Sequence, residues 1–461
     1  MNPVLWGVLA YVLAQFAIGM YVSRRIRTET DYILAGRSLG YGLATFTIFA
    51  TWFGAETTVG SAGAVYADGL SGSTADPFGY ALCLLLMGAF LARPLWNRKL
   101  TTLADLFRDR YSPAVEKLAV VLMVPTSVLW AAAQIRAFGQ VLSASSGLET
   151  TLMITLAAAV VIAYTAFGGL LADAWTDLVQ GIALIVGLGV IFVVVMRQVG
   201  LETLAFIPPE RLRMFDPELG VLGVMEAWAI PVCGSVVAAE LVSRVIATRT
   251  PQVAQRSTLI AAAGYLVIGL IPVTLGLLGA SLLPGLDDPE QVLPMLAQRY
   301  LPGMLYVVFA GALVSAILST VDTTLLVAGS LVSHNLVVPL RPGMSERARV
   351  RVARAGVVTF GIVAYALALS AEGVYALVEE ASAFGSAGIF VVVILGLFTR
   401  WGGAPAAAAS LGAGILSWVL GAYVLHAPHP YLLSLAAALL AYAAFAAVKP
   451  KVAAAARPQP A

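Results

Sequence analysis

The stretch TFTIFATWFGAETTVGSAGA at residues 45–64 decides the fold of this chain. It is apolar and long enough to cross a bilayer, because a helix spans the hydrocarbon core with about 20 residues. Its second half nevertheless carries Gly54, Glu56, Gly60 and Gly63. An ionisable group at membrane depth costs at least ~2.5 kcal/mol, so Glu56 is expected to face a protein cavity, a partner charge or a bound cation. The pattern indicates a broken membrane helix whose free carbonyls line a binding site.

The chain as a whole has the composition of a membrane protein. Of its 461 residues 60% are hydrophobic and 11% are charged, whereas a soluble domain carries about 25% charged residues. We expect an all-α polytopic membrane protein with about thirteen transmembrane helices of about 20 residues each. The apolar stretches behind this count are 4–23, 40–64, 76–97, 114–146, 150–168, 174–196, 221–246, 257–283, 301–338, 350–371, 374–398, 404–425 and 430–448.

The basic residues predict the orientation, because cytoplasmic loops are enriched in Lys and Arg. With the amino terminus outside, most of the 27 Lys and Arg residues fall on the inner side. Those assigned to the outer side are Arg197, Arg211, Arg213 and Arg299. We therefore predict an integral protein of the cell (plasma) membrane with a cytoplasmic carboxyl terminus. The net charge of +2 gives no indication of a nucleic-acid partner.

The sequence lacks the motifs of ATP-driven transport and of common hydrolases. It contains no GxxxxGK[ST] segment, no HExxH and no GxSxG. Cys83 and Cys233 lie in apolar segments without a disulfide or zinc pattern. We therefore expect that the chain is not an enzyme and that an ion gradient drives its activity.

A second polar span, residues 228–246, resembles the first in composition, with Glu240 and Arg244 inside an apolar segment. Two blocks of five spans, 40–198 and 221–398, each begin with such a span. Because five is odd, the blocks have opposite topology, which is the inverted-repeat design of many secondary transporters. The predicted organisation is an extra helix and inner loop over 1–39, a first repeat over 40–198, an external loop over 199–220, a second repeat over 221–398, and two helices with a short tail over 399–461.

Residues 311–330, GALVSAILSTVDTTLLVAGS, place an unusual number of hydroxyl groups in an apolar helix. Hydroxyl oxygens suit a desolvated sodium ion, since hard cations prefer oxygen ligands. The alternative is that buried Ser and Thr side chains only bond back to the carbonyl one turn earlier. The pattern by itself leaves both interpretations open.

Several motifs together resemble the sodium:solute symporter family over roughly residues 30 to 400. They are DYILAGRSL at 31–39, YT at 164–165, GG at 168–169, WTDLVQ at 175–180, and Ala316 with Ser319 and Thr320. Within the family, the choline-transporting members are the most similar in ATW at 50–52, Gly79 with Tyr80, and WAAA at 130–133.

The resemblance implies a leucine-transporter-like fold of two inverted five-helix repeats, preceded by one extra helix and followed by two. It also implies sodium (Na+) as the coupling ion. The implied sodium ligands are the backbone carbonyls of Ala50, Phe53 and Ala316 and the hydroxyls of Ser319 and Thr320.

Asp177 matches the family's acidic residue associated with a further cation site or with ion exit. The alternative is an aspartate at a helix start, stabilised by the helix dipole.

The residues that we expect to face the solute are Trp52, Glu56, Tyr80, Trp130 and Glu240. Ala238 stands where choline-transporting members have a further tryptophan, and each aromatic face of a cation cage contributes about 0.5–2 kcal/mol. Glu56 and Glu240 instead suit an amine-bearing or cationic solute. The alternative is that they are structural charges paired with Arg136 and Arg244.

These features predict a sodium-coupled symporter in the lipid bilayer that imports a small organic, choline-like solute by alternating access. A sodium-coupled symporter of proline or another amino acid, and a transporter-like membrane sensor, are the alternatives.

Overall fold

The computed structural model describes residues 3–371 and 373–448, and these are almost entirely helical. The helices are α1 (Pro3–Ser23), α2 (Glu29–Leu34), α3 (Tyr41–Trp52), α4 (Ser61–Asp68), α5 (Tyr80–Leu86), α6 (Ala92–Asn97), α7 (Ala104–Arg110), α8 (Pro113–Ser146), α9 (Thr150–Val199), α10 (Gly220–Ala229), α11 (Ala239–Ile246), α12 (Pro251–Leu282), α13 (Val292–Tyr300), α14 (Gly303–Leu331), α15 (Glu346–Ser370), α16 (Val374–Ala383), α17 (Ser386–Phe398), α18 (Ala404–Val419) and α19 (Pro430–Val448).

The number of membrane spans agrees with the sequence. In the described ranges, eight helices are long and apolar enough to cross a membrane, or up to ten with two bent helix pairs. One of the eight, Glu56–Asn97, joins the second half of the broken span to the span after it. Another, α9, has 50 residues and is interrupted by non-helical angles at Gly169 (φ 65°, ψ 168°). A straight helix of that length would extend about 75 Å, far beyond the hydrocarbon core, so α9 holds two spans joined at Gly169, which we call the reversal of α9. The bent pairs bring the number to ten, and each of these two long helices contributes one span more. With α1, which has 21 residues, the total is about the thirteen spans expected.

The first polar span is broken where its glycine predicts. Helix α3 ends at Trp52, and Phe53 has non-helical angles of φ −93° and ψ 68°. A wider helical turn, Glu56–Gly60, follows and leads into α4. A Cβ on Gly54 would lie 2.5 Å from Glu56 Oε2 and 2.7 Å from Thr320 Oγ1, so only glycine fits the break without a shift of its neighbours.

The second polar span is interrupted as well. Helices α10 and α11 meet at an angle of 41°, and Ala238 between them is extended, with φ −62° and ψ 133°. Helices α16 and α17 are bent by 43°, next to Gly385 in the left-handed region at φ 66°.

Helix α14 is the centre of the bundle. It packs against α9, α8 and α3, and every residue from Ala312 to Leu331 is buried. A helix that is apolar on all faces is expected to be surrounded by protein or lipid. Because α14 is surrounded by protein, its hydroxyl groups must find partners on the neighbouring helices, and these contacts build the site.

Candidate functional site

The Thr320 hydroxyl lies against the end of α3, where the helix break frees backbone carbonyls. Its Oγ1 is 3.1 Å from the carbonyl oxygen of Thr51, 3.5 Å from that of Ala50 and 3.2 Å from that of Ala316 on its own helix. These are hard oxygen ligands of the kind that sodium prefers. The structure thus brings together three of the predicted ligands and adds the Thr51 carbonyl, which the motif comparison missed.

The remaining two predicted ligands are placed differently. Ser319 donates its hydroxyl proton to Asp177 Oδ1 over 2.5 Å, so it links the Thr320 cluster to Asp177. Phe53 lies directly beyond the end of α3, where its ring packs on Tyr265 at a centroid distance of 5.2 Å. Among the described residues, no side-chain hydrogen bond reaches the Phe53 carbonyl.

Asp177 is a fully buried carboxylate between two helices. Besides the bond from Ser319, its Oδ2 accepts a hydrogen bond of 2.5 Å from Thr47 Oγ1 on α3. It lies well after the reversal at Gly169, in the continuous part of α9. Its carboxylate is held by side chains of other helices, which does not match the alternative of an aspartate capping a helix start.

The Glu56 carboxylate is buried and satisfied by neutral donors. Gln134 Nε2 donates to Glu56 Oε2 over 2.7 Å, and the indole N–H of Trp130 donates to Oε1 over 3.2 Å. The Gln134 carbonyl oxygen in turn accepts the backbone N–H of Ala55 over 3.0 Å. Glu56 takes no part in the salt bridges found among the described residues. Within the described ranges, no cationic side chain therefore compensates this carboxylate.

Two tryptophans adjoin this carboxylate. Trp52 and Trp130 pack edge to face, with ring centroids 5.0 Å apart and an interplanar angle of 87°. Trp52 is only 1% exposed, and its indole N–H has no hydrogen-bond partner among the residues that the structure describes. Buried donors are normally paired, so this N–H is open to an acceptor on a ligand.

The other two predicted solute residues have partners outside this cluster. The Tyr80 hydroxyl lies 3.0 Å from Ser382 Oγ, on α16. Glu240 Oε1 accepts a hydrogen bond of 2.5 Å from Ser127 on α8. No hydrogen bond within the described ranges joins either residue to Glu56.

Arg244 forms its ion pair with a carboxylate that the sequence did not suggest. It is completely buried and pairs with Asp173 of α9, and it also contacts the hydroxyls of Thr51 and Thr323. The sequence also offered Glu240 as a partner of Arg244, and no ion pair joins these two residues within the described ranges. Arg136, the other proposed partner, donates to the Ala368 carbonyl over 3.2 Å.

A second buried carboxylate near the break also escaped the sequence analysis. Asp76 accepts hydrogen bonds from Thr57 Oγ1 at 2.7 Å and from the Tyr265 hydroxyl at 3.0 Å, and all three side chains are buried. It ties the second half of the broken span to α12. Its position at the start of an apolar span was a signal for a buried charge.

Outside the membrane spans, Asp105 holds together the loops on the predicted cytoplasmic side. It accepts the backbone N–H groups of Thr101 and Thr102 over 2.7 and 3.1 Å, and it pairs with Arg108. Burial alone would raise the pKa of Asp105, but His334 and these donors outweigh burial and lower the pKa to about 2.

Comparison with known proteins identifies the family of this chain. The model of the sodium:solute symporter family matches residues 32–414, and the chain belongs to that family. Family membership makes it a sodium-coupled symporter of a small solute and a transporter rather than an enzyme. It is an integral membrane protein.

Two relatives and one solved structure show what the chain is similar to. The high-affinity choline transporter 1 of Drosophila melanogaster is 28% identical over 391 residues, which are 80% of this chain and 63% of that protein. The high-affinity proline transporter PutP of Bacillus subtilis (strain 168) is 26% identical and covers 84% of this chain and 86% of its own. The substrate-bound, outward-open structure of a Na+-coupled sialic acid symporter has a TM-score of 0.84 at 18% identity, over 98% of this chain and 99% of that one. The predicted leucine-transporter-like fold is confirmed.

Proposed function

We propose that this chain imports a small amine-bearing or cationic solute together with sodium. The observation that carries the proposal is Glu56, a carboxylate 1% exposed at membrane depth whose partners, Gln134 and Trp130, are neutral. A buried charge with only neutral partners is costly, and an ammonium group on the solute would offset that cost. The faces of Trp52 and Trp130 lie next to it, and an aromatic face attracts a cation by about 0.5–2 kcal/mol.

Sodium would bind beside the solute, at the Thr320 hydroxyl and the carbonyls of Ala50 and Ala316, with Phe53 and Ser319 as the further ligands. Asp177 would serve as a second cation site or an ion exit on the inner side. Coupling requires that sodium bind the outward-open and inward-open states unequally, since a ligand with equal affinity for both shifts neither. The break after α3 would supply such a difference if α3 and α14 separate during transport, because its carbonyls meet Thr320 at the contact between these two helices.

The sodium gradient supplies enough energy for accumulation. One sodium ion crossing ~100 mV contributes about 2.3 kcal/mol, and a tenfold concentration gradient adds about 1.4 kcal/mol. The sum of ~3.7 kcal/mol concentrates a neutral solute about 10²- to 10³-fold. A cationic solute is in addition drawn in by the membrane potential.

The orientation and organisation belong to the same proposal. The amino terminus would lie outside, in the plasma membrane, and the repeats would cover 40–198 and 221–398. Tyr80 and Glu240 would border the solute site, without a hydrogen bond to Glu56.

Proline or another amino acid is the second candidate solute. Ala238 favours this candidate, because choline-transporting members have a further aromatic side chain at that position. The similarity to PutP of B. subtilis favours it as well. The ammonium of an amino acid also suits Glu56. The carboxylate of the amino acid needs a hydrogen-bond donor. The indole N–H of Trp52, which has no partner in the described ranges, is such a donor.

A thermal-shift screen of the purified, full-length protein tests the proposal. Choline, other quaternary and primary amines, proline, other amino acids and uncharged solutes are each added with sodium and with potassium. We expect sodium-dependent stabilisation by amine-bearing compounds, about 2.7 kcal/mol at a hundredfold excess over Kd. The same compounds should fail to stabilise Glu56→Gln, while sodium alone still does.

Glu210→Gln, a change of the same kind on an exposed outer loop, is the matched control and should behave as the wild type. Stabilisation by uncharged or anionic solutes alone, or an unchanged response of Glu56→Gln to its amine ligand, contradicts the proposal.

A further inference from the structure

Helices α9 and α14 carry three buried carboxylates, and the ion pairs of the described residues engage one of them. Asp173, Asp177 and Asp322 are 5%, 0% and 3% exposed, and Arg244 is fully buried. Arg244 pairs with Asp173. Ionised carboxylates are stable at membrane depth only with compensating charge. Arg244 compensates one of the three carboxyls, so each of the other two needs a proton or a bound cation.

The hydrogen bonds show where such a cation is missing. Both oxygens of Asp177 are occupied, by the hydroxyls of Thr47 and Ser319. Within the part of the chain that the structure describes, Asp173 Oδ1 and Asp322 Oδ2 accept no hydrogen bond, although the other oxygen of each carboxylate is bonded. A buried carboxylate oxygen without a hydrogen-bond donor is unfavourable, and a bound cation would stabilise it.

Asp173 and Asp322 line the same small cavity. Its other walls are Tyr164, Thr165, Gly168 and Gly169 at the reversal of α9, with Leu326 of α14. The cavity has a volume of about 10 Å³, which is room for one particle the size of a water molecule. The Thr165 hydroxyl lies 2.7 Å from Asp322 Oδ1 and adds a neutral oxygen to the two carboxylates.

We infer that this cavity, the Asp173–Asp322 chamber, binds a sodium ion of its own. Its ligands would be Asp173 Oδ1, Asp322 Oδ2 and the hydroxyl oxygen of Thr165. Carboxylate and hydroxyl oxygens are the ligands of hard cations.

The position of the chamber gives the ion a role in release. Asp173 precedes Asp177 by one helical turn on α9, toward the reversal at Gly169 that lies on the predicted cytoplasmic side. Sodium that leaves the Thr320 site would pass Asp177 and reach the chamber next. Because Arg244 links the chamber to α11 of the second interrupted span, an ion there competes with Arg244 for Asp173 and favours the opening of the inner side. This inference rests on the proposed sodium binding at Thr320.

Counting bound sodium tests the inference without knowledge of the solute. Equilibrium binding of radioactive sodium to the purified full-length protein gives the number of ions per chain and their affinities. We expect Asp322→Asn to bind one ion fewer than the wild type. Thr165→Val, which keeps both carboxylates, should weaken one bound ion about tenfold. Thr155→Val on the exposed face of α9 is the matched control and should change neither value.

The same measurement on Thr320→Ala separates this inference from the proposal on which it rests. If Thr320→Ala loses an ion and Asp322→Asn does not, the chamber is not a sodium site and the Thr320 site stands. If neither loses an ion, both assignments fail. Should Asp322→Asn not fold, Thr165→Val decides, because unchanged sodium affinities in that variant overturn the inference.

Discussion

Removing the Thr320 hydroxyl is the sharpest test of the sodium site. In Thr320→Ala the oxygen within 3.1–3.5 Å of three backbone carbonyls is lost, while α14 keeps its packing partners. A polar contact to a charged group contributes about 1.5–3 kcal/mol. This corresponds to a sodium half-saturation about 10- to 150-fold higher than in the wild type. Thr320→Ser keeps the hydroxyl and should recover most of the loss.

The assay is a sodium titration of the melting temperature of purified protein, which needs no solute. Thr324→Ala is a matched control, since Thr324 is equally buried one turn along α14 but its hydroxyl bonds only to the Val321 carbonyl, over 2.9 Å. It should lower stability without changing the sodium response. An unchanged half-saturation in Thr320→Ala, or equal shifts in both variants, refutes the site.

Two further changes have outcomes that the structure specifies. Gly54→Ala should weaken sodium and solute binding together, because its Cβ would lie 2.5 Å from Glu56 Oε2 and 2.7 Å from Thr320 Oγ1. Binding titrations in which either affinity stays at the wild-type value would contradict this. Gly311→Ala is the control, since a Cβ there meets nothing within 4 Å. Asp105→Asn should cost about 2 kcal/mol at pH 7, because a carboxyl whose folded pKa is lowered from 3.8 to about 2 stabilises the fold above its unfolded pKa. Thermal unfolding should show the gap to the wild type closing as the pH falls from about 4 toward 2, and a gap that does not change with pH would speak against the ionised Asp105.

The features that could be predicted from the sequence are those that a single segment determines. Gly54 and Glu56 stand two residues apart in one apolar span, and their conflict with a regular membrane helix is visible without any partner. The hydroxyls of Ser319 and Thr320 share one segment in the same way. In the structure both segments are broken or polar where expected, and the Thr320 hydroxyl meets the carbonyls at the end of α3.

The features that sequence reasoning missed depend on contacts between distant segments. Arg244 could pair with any buried carboxylate, and only the packing of α11 against the bundle selects Asp173 over Glu240. Gln134 is an ordinary polar residue in α8 until the fold places its amide against Glu56. Asp322 is one of six polar side chains among residues 315–324, and nothing in that segment indicated that one of its oxygens would lack a donor among the described residues.

The break after α3 explains why the two ligands are expected to depend on each other. On one side of Gly54, the Thr320 hydroxyl holds the carbonyls of the last turn of α3. On the other side, Gln134 holds both the Ala55 N–H and the Glu56 carboxylate. A backbone without helical hydrogen bonds is fixed only by such external contacts. Sodium binding would fix the end of α3 and thereby restrict the backbone at Glu56. The solute would then lose less free energy in ordering Glu56 when it binds. The solute would do the same for sodium, because coupling between two binding sites is reciprocal.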